Sequence, residues 1–248
     1  MITSKSTPSK INFLEDFVDN SKPTIIYFHG AGERTATNNI NDLNKLKSLA
    51  FFTKFYTDNK GRYNFFMPQQ TTGSFSWVYP IRNNVSYGVE FIKWVIETYN
   101  LDKIILTGHS MGSPWTTAEI IPELMLGIAV VSGSGNYQGC VRLGQLKLPV
   151  IAWHGESDTT TPNDFISGKK ACVTWFQNTG GGSPIWNPLP GVGHGADSHA
   201  YSSTGGFKEF VDSLTVATPQ PLPLVDLIVK FDPNDSTIKY FDSNGNQY

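Results

Sequence analysis

Charge is scarce in this chain. Lysine and arginine number 19 and aspartate and glutamate 21, so charged residues make up 16% of the 248 positions, against about 25% in an average domain. The formal net charge is −2, and no block of like charges occurs. Nothing therefore supplies the basic field that a phosphate backbone requires, which excludes a nucleic-acid binder. Long apolar runs are missing as well. The longest are about five residues, against the roughly 20 that cross a bilayer, so no membrane span is expected. Cysteine is limited to Cys140 and Cys172, too few for a disulfide scaffold and without metal-ligand spacing. A single bridge fits them, but two buried thiols is the preferred reading. The first residues, Met1 to Pro8, hold no apolar core, so no signal peptide is expected there. Low charge with abundant Asn, Thr, Gly and Trp leans toward an extracellular or periplasmic setting.

Apolar and aromatic side chains, by contrast, are plentiful at 39% and 13%. That is enough for a sizeable core and excludes wholesale disorder. The length suits one large α/β domain, or one domain with a small appendage.

Five short apolar runs punctuate the chain. Thr24 to Phe28 is stopped by His29-Gly30-Ala31-Gly32, Tyr63 to Met67 by Pro68, and Lys103 to Thr107 by Gly108. Ile128 to Val131 and Val150 to Trp153 complete the set, and Pro184 to Leu189 is a weaker sixth. Near-continuous runs of this length are the mark of strands buried on both faces. Helical stripes alternate with them. Val85, Val89, Ile92, Ile96 and Tyr99 form one, and Phe207, Phe210, Val211 and Leu214 another. Leu43, Leu46 and Leu49 begin a third. Ile166, Val173 and Phe176 give a fourth, with Asn163 or Asp164 as its cap. The alternation implies right-handed crossovers and a mainly parallel sheet covered by helices on both faces, an α/β fold.

The tail reads differently. Pro219, Pro221 and Pro223 stiffen a linker, and alternating residues around the turn Asp232-Pro233-Asn234-Asp235 predict a β-hairpin over 224–241. The division expected is a main domain over 1–217, with linker and hairpin over 218–248.

Chemistry enters at Gly108-His109-Ser110-Met111-Gly112, directly after the third buried run. G-x-S-x-G is the pattern of a strand that turns sharply into a helix and leaves a serine hydroxyl at the apex. Trp115 to Ile121 is the expected helix, with Pro114 in its first turn. A serine needs a base. Of the five histidines, His109 adjoins the serine and points elsewhere, while His29 and His154 each end a strand and orient the loop that follows. His194, flanked by Gly193 and Gly195, is the expected base, with His199 as the fallback. No spacing among them suits zinc. The carboxylate that fixes the imidazole is Asp158, just past the strand ending at Trp153, with Glu156 and Asp164 as alternatives. The order Ser110, Asp158, His194 is the chain order of the α/β-hydrolase triad. Donors for an oxyanion are expected from the backbone N–H groups of Met111 and Ala31. Gly180-Gly181-Gly182 lacks the residues of a phosphate loop, and Gly30-x-Gly32 lacks a dinucleotide site's third glycine. Trp77 follows the second strand and is placed to form one wall for an aromatic or sugar-linked substrate.

Together, Ile26 to Arg34, Pro68-Gln69, Gly108 to Gly112, His154-Gly155 with Asp158 and Pro162, and Gly193-His194 resemble the α/β-hydrolase superfamily. They are most similar to its carbohydrate-esterase-1-like branch of feruloyl esterases, polyhydroxybutyrate depolymerase-like enzymes and predicted peptidases. The resemblance covers residues 22–215. It implies a serine carboxylic-ester hydrolase that works through an acyl-enzyme without cofactor or metal, on feruloyl, acetyl or polyester substrates, small or polymer-linked. Two departures stand out. Ser113 occupies a position where many relatives have glycine, and the short stretch before Thr24 predicts a reduced sheet. No lid-sized insertion separates the strands at 127–131 and 149–153, so an open cleft is expected. A peptidase or acyltransferase on the same triad, or an inactive binding module, are the rival readings.

Overall fold

The computed structural model describes residues 1–71, 77, 81–82, 85–114, 125–133, 135, 137–161, 169–178, 184–216, 228–232 and 237–241. All six expected strands form. They are β3 (Thr24–Phe28), β4 (Asn64–Pro68), β7 (Ile104–His109), β8 (Met125–Val131), β9 (Val150–Gly155) and β10 (Ile185–Leu189). Each pairs in parallel with its neighbour in the order β4-β3-β7-β8-β9-β10. Side chains alternate across a strand, and here both faces are apolar. Ile26, Phe28, Leu106, Ile128 and Val130 enter one core cluster. Ile25, Tyr27, Ile105, Ala129 and Val131 enter the other. Burial on both sides is why the runs carry almost no polar residue.

The helices divide accordingly. On the first face lie α1 (Tyr87–Tyr99), α2 (Tyr137–Gln145) and α3 (Lys169–Asn178), through Phe91, Ile92, Leu143 and Phe176 among others. The second face is covered by α5 (Phe207–Val216), through Phe207 and Val211, and by the segment over Leu43, Leu46, Phe51 and Phe55. A short α4 (Asp197–Ala200) precedes α5. Among the described residues no helix is long and apolar enough to cross a membrane.

Four expectations are corrected. First, the sheet is not reduced. Two strands precede Thr24, β1 (Thr3–Ser6) and β2 (Asn12–Asp16), and β2 joins β4 antiparallel to make eight strands in all. Only Phe13 and Leu14 mark β2 as apolar, one for each core cluster. Its acidic residues are buried in company: Asp16 accepts from Tyr56 Oη at 2.9 Å and pairs with the N-terminal amine at 2.8 Å, and Glu15 pairs with Lys5 at 2.7 Å. Second, the leucines at 43 and 46 lie on a 3-10 helix, Ile40–Ser48, followed by a π-helical turn, Phe51–Tyr56. Third, Val85 falls in a two-residue strand, β6 (Val85–Ser86), paired with β5 (Ile81–Arg82), and α1 starts after it. Fourth, Tyr63 precedes β4 rather than opening it. Both cysteines are buried. In the tail, β11 (Ile228–Asp232) pairs antiparallel with β12 (Thr237–Phe241), the hairpin expected there. The Pro-rich linker, the helix expected over 115–121, the triglycine at 180–182 and residues 163, 164 and 166 lie outside the described residues.

Candidate active site

The turn after β7 is built on missing side chains. A Cβ on Gly108 would stand 2.0 Å from the Gly112 carbonyl oxygen, and one on Gly112 would stand 2.0 Å from the Phe28 oxygen. Only glycine at both positions lets the chain double back this tightly against β3. At the apex Ser110 has φ of 56°, a left-handed conformation that costs a non-glycine residue roughly 1–2 kcal/mol. A 3-10 turn, Ser110–Gly112, follows. Ser113 comes next, and Gly133 accommodates it: a Cβ at position 133 would meet Ser113 Cβ at 2.3 Å and the Ser110 oxygen at 3.0 Å.

A second close approach positions His194. A Cβ on Gly155, at the end of β9, would lie 2.1 Å from the Gly193 oxygen and 2.3 Å from the Val192 oxygen. The bare strand end thus lets the loop after β10 rest on it. Backbone bonds stitch the two together, Ser157 N–H to Val192 O and Glu156 N–H to Leu189 O, both 3.0 Å.

These devices bring three side chains into one row. His194 Nε2 is 2.7 Å from Ser110 Oγ, and His194 Nδ1 is 2.8 Å from Asp158 Oδ2. The other carboxylate oxygen, Oδ1, accepts the amides of Thr160 at 2.9 Å and Thr161 at 3.0 Å. Burial pushes the Asp158 carboxyl upward, but the Thr161 amide, the His194 ring and the Thr160 amide outweigh it and hold it below the ordinary carboxylate value. Asp158 is therefore an anion at neutral pH, and it draws the Nδ1 proton of His194 toward itself. That leaves Nε2 to accept from the serine hydroxyl.

The loop after β3 stands beside the serine turn. Its 3-10 turn, Ala31–Glu33, packs against Ser110–Gly112. Ala31 and Met111 both occupy first-turn positions, where N–H groups have no partner inside the helix. Arg34 Nε donates to the Ala31 carbonyl at 2.9 Å, and Gln69 Nε2 donates to the Glu33 carbonyl at 3.1 Å, so the loop is braced from two sides. His29 is fully buried behind it. Its Nδ1–H donates to the Gly30 oxygen at 2.6 Å, and its Nε2 accepts from the Gln70 amide at 2.9 Å. Burial pushes its pKa down to about 4, which fits a neutral ring with one donor and one acceptor.

Trp77 corrects an expectation. It is 1% exposed and packs on Phe28, His29 and Tyr87, and its indole N–H donates to the His29 carbonyl at 2.9 Å. It buttresses the loop after β3 instead of walling an open cleft. His199 is exposed on α4 and faces a separate groove with Trp186, Asn187 and Thr204, Glu156 is exposed, and Asp164 lies outside the described residues. His154 orients the loop that follows it, as expected, through the Thr161 carbonyl at 2.8 Å. The role of His109 was not legible in the sequence: it is beside the row, with Nε2–H donating to the His194 carbonyl at 2.8 Å. Neighbouring glycines marked its turn but not this partner. Among the described residues no three His, Cys, Asp or Glu side chains cluster as a metal site.

No protein-family model and no curated protein matches the chain. Solved structures do. It is similar to a thermostable esterase at 20% identity and a TM-score of 0.60, over 86% of this chain and 62% of that one; it thus spans less than two thirds of the esterase. It is similar to a predicted CIB-like hydrolase from Thermoplasma acidophilum at 15% identity and 0.60, over 88% of this chain and 99% of that one. An S-formylglutathione hydrolase from Agrobacterium tumefaciens aligns at 12% identity and 0.56, over 86% and 94%. At such identities the likeness speaks for the fold, and that fold is the α/β-hydrolase fold.

Proposed function

We propose that this chain is a serine carboxylic-ester hydrolase. The observation that carries the reading is the unbroken row of hydrogen bonds from Ser110 Oγ through the His194 ring to Asp158. In the proposed cycle Ser110 Oγ attacks the acyl carbonyl while His194 Nε2 takes its proton. The carbonyl electrons move onto oxygen, where the N–H groups of Ala31 and Met111 receive the charge; one such donor is worth roughly 3 kcal/mol. As the intermediate collapses, His194 returns the proton to the departing alcohol and an acyl-serine remains. Water, deprotonated by the same nitrogen, then releases the acid and restores the serine. Asp158 keeps the imidazole in the productive tautomer and offsets its transient positive charge. No cofactor takes part in these steps. Feruloyl, acetyl and polyester acyl groups are the substrates proposed, small or polymer-linked. The 131–150 connection holds α2, which favours an open cleft on that side.

Ser110→Ala tests the reading. Hydrolysis of p-nitrophenyl acetate and labelling by a fluorophosphonate should both vanish while the far-ultraviolet circular dichroism stays unchanged. Undiminished turnover in that variant would falsify the assignment. Amide and alcohol-acceptor assays alongside separate the ester hydrolase from a peptidase or an acyltransferase.

A further inference from the structure

We infer that His154, outside the reacting row, is a positioning residue for the Asp158 carboxylate: its Nε2–H holds the Thr161 carbonyl of the Asp158 loop and stands beside the Oδ2 that His194 engages, fixing the carboxylate's rotation and tempering its pull on the imidazole. The inference rests on the ester-hydrolase reading above.

His154 stands near the end of β9, and its side chain is fully buried, as is that of Asp158. Its Nε2 lies 2.8 Å from the Thr161 carbonyl oxygen and 3.3 Å from Asp158 Oδ2. Both neighbours are acceptors, so Nε2 must carry the proton. The plane of the ring is set by Trp186 of β10, which lies nearly parallel at 24° with centroids 6.3 Å apart. Thr161 also donates its amide to Asp158 Oδ1. His154, Asp158 and Thr161 therefore close a small circuit in which the histidine donates to the Thr161 carbonyl, stands 3.3 Å from Asp158 Oδ2, and the threonine amide donates back to Oδ1.

The circuit engages every face of Asp158. Oδ1 is held by two amides, and Oδ2 lies between two imidazole N–H groups, from His194 at 2.8 Å and His154 at 3.3 Å. A second N–H dipole beside one oxygen draws on charge that the first would otherwise use. His154 therefore trims the pull of Asp158 on the Nδ1 proton of His194. The other groups facing the His194 ring are Ser110 at its far nitrogen and His109, from the end of β7, with ring centroids 5.0 Å apart. Glu156 is exposed on the Asp158 loop.

The experiment compares wild type, His154→Leu and His154→Gln on p-nitrophenyl acetate from about pH 5 to about pH 9. In His154→Leu, kcat should fall about ten-fold, the scale of leaving one buried acceptor, the Thr161 carbonyl oxygen, without its donor. KM should stay within about two-fold, and the acid limb of kcat/KM should move up by roughly half a pH unit. The side-chain amide of His154→Gln can donate to the same oxygen, and it should recover most of kcat and return the limb toward wild type. An unmoved limb in a folded His154→Leu, or a glutamine variant no better than the leucine one, would overturn the inference. If His154→Leu does not fold, ¹⁵N spectra of the wild-type imidazoles decide: protonated Nε2 on His154 supports the role, and an Nδ1–H tautomer refutes it. A wild-type chain inert on every ester would sink the ester-hydrolase reading, whereas an active wild type with indifferent variants would sink only this one.

Discussion

Replacing Asp158 by asparagine changes one heavy atom and sets three hydrogen bonds at odds. In the native site Oδ1 accepts from two backbone amides and Oδ2 accepts from the His194 ring, with His154 Nε2 a further 3.3 Å away. If the asparagine keeps its oxygen toward Thr160 and Thr161, its NH2 group confronts His194 Nδ1–H. His194 must then move its proton to Nε2, where it blocks acceptance from Ser110. If the amide flips, the NH2 group opposes two backbone N–H groups instead. Neither orientation retains the productive tautomer. The expected loss in kcat is about 10⁴-fold, the scale of a triad held in the wrong tautomer, which corresponds to about 5 kcal/mol of transition-state stabilisation. KM should hardly move, because Asp158 is buried behind the imidazole. Steady-state hydrolysis of a p-nitrophenyl ester near neutral pH, with a thermal melt on the same samples, provides the measurement. Retention of more than about a tenth of wild-type kcat would refute the reasoning. The melt carries a second signature. The native carboxyl is held below its ordinary value, so it stabilises the fold above about pH 4 and loses that contribution as pH falls through the lowered value. The difference in melting temperature between wild type and Asp158→Asn should therefore shrink in strong acid.

Three further outcomes are expected. In Gly155→Ala the new Cβ would sit 2.1 Å from the Gly193 oxygen, so the loop must shift by about an ångström; kcat should drop about 100-fold and stability by about 1–3 kcal/mol, and an active, equally stable variant would show that the loop does not rest on β9. His29 is buried neutral with its pKa lowered to about 4, so the stability it contributes is complete above the unfolded value of about 6.5 and is lost as pH falls from there toward 4, by about 3 kcal/mol. Denaturant melts of wild type and His29→Gln across that window should diverge if this holds and run parallel if it does not. Trp77→Phe strips the buried His29 carbonyl of its donor and should cost about 1–3 kcal/mol while leaving KM unchanged; a raised KM with unaltered stability would restore Trp77 to the cleft wall.

What the sequence disclosed follows from how each feature is encoded. Strands such as Ile104–His109 announce themselves because both faces are buried, leaving an unbroken apolar run. Ser110 and His194 could be singled out as candidates because glycines flank them, and Asp158 because it follows a buried strand. β2 was not legible: two apolar residues among acidic ones give no period, and its burial depends on Tyr56, Lys5 and the amino terminus. Trp77 misled because aromatic character does not say which way a ring points. The partner of His109 is set by a loop more than 80 residues away, and it leaves no pattern in spacing.

Behind the serine turn, positions 113 and 133 share one volume. Serine is tolerated at the first only because glycine stands at the second. The two sites are consequently bound by history: a lineage can enlarge residue 133 only after shrinking residue 113, and taking those steps in reverse passes through an intermediate with both places filled. Measured singly and together, the substitutions should deviate strongly from additivity.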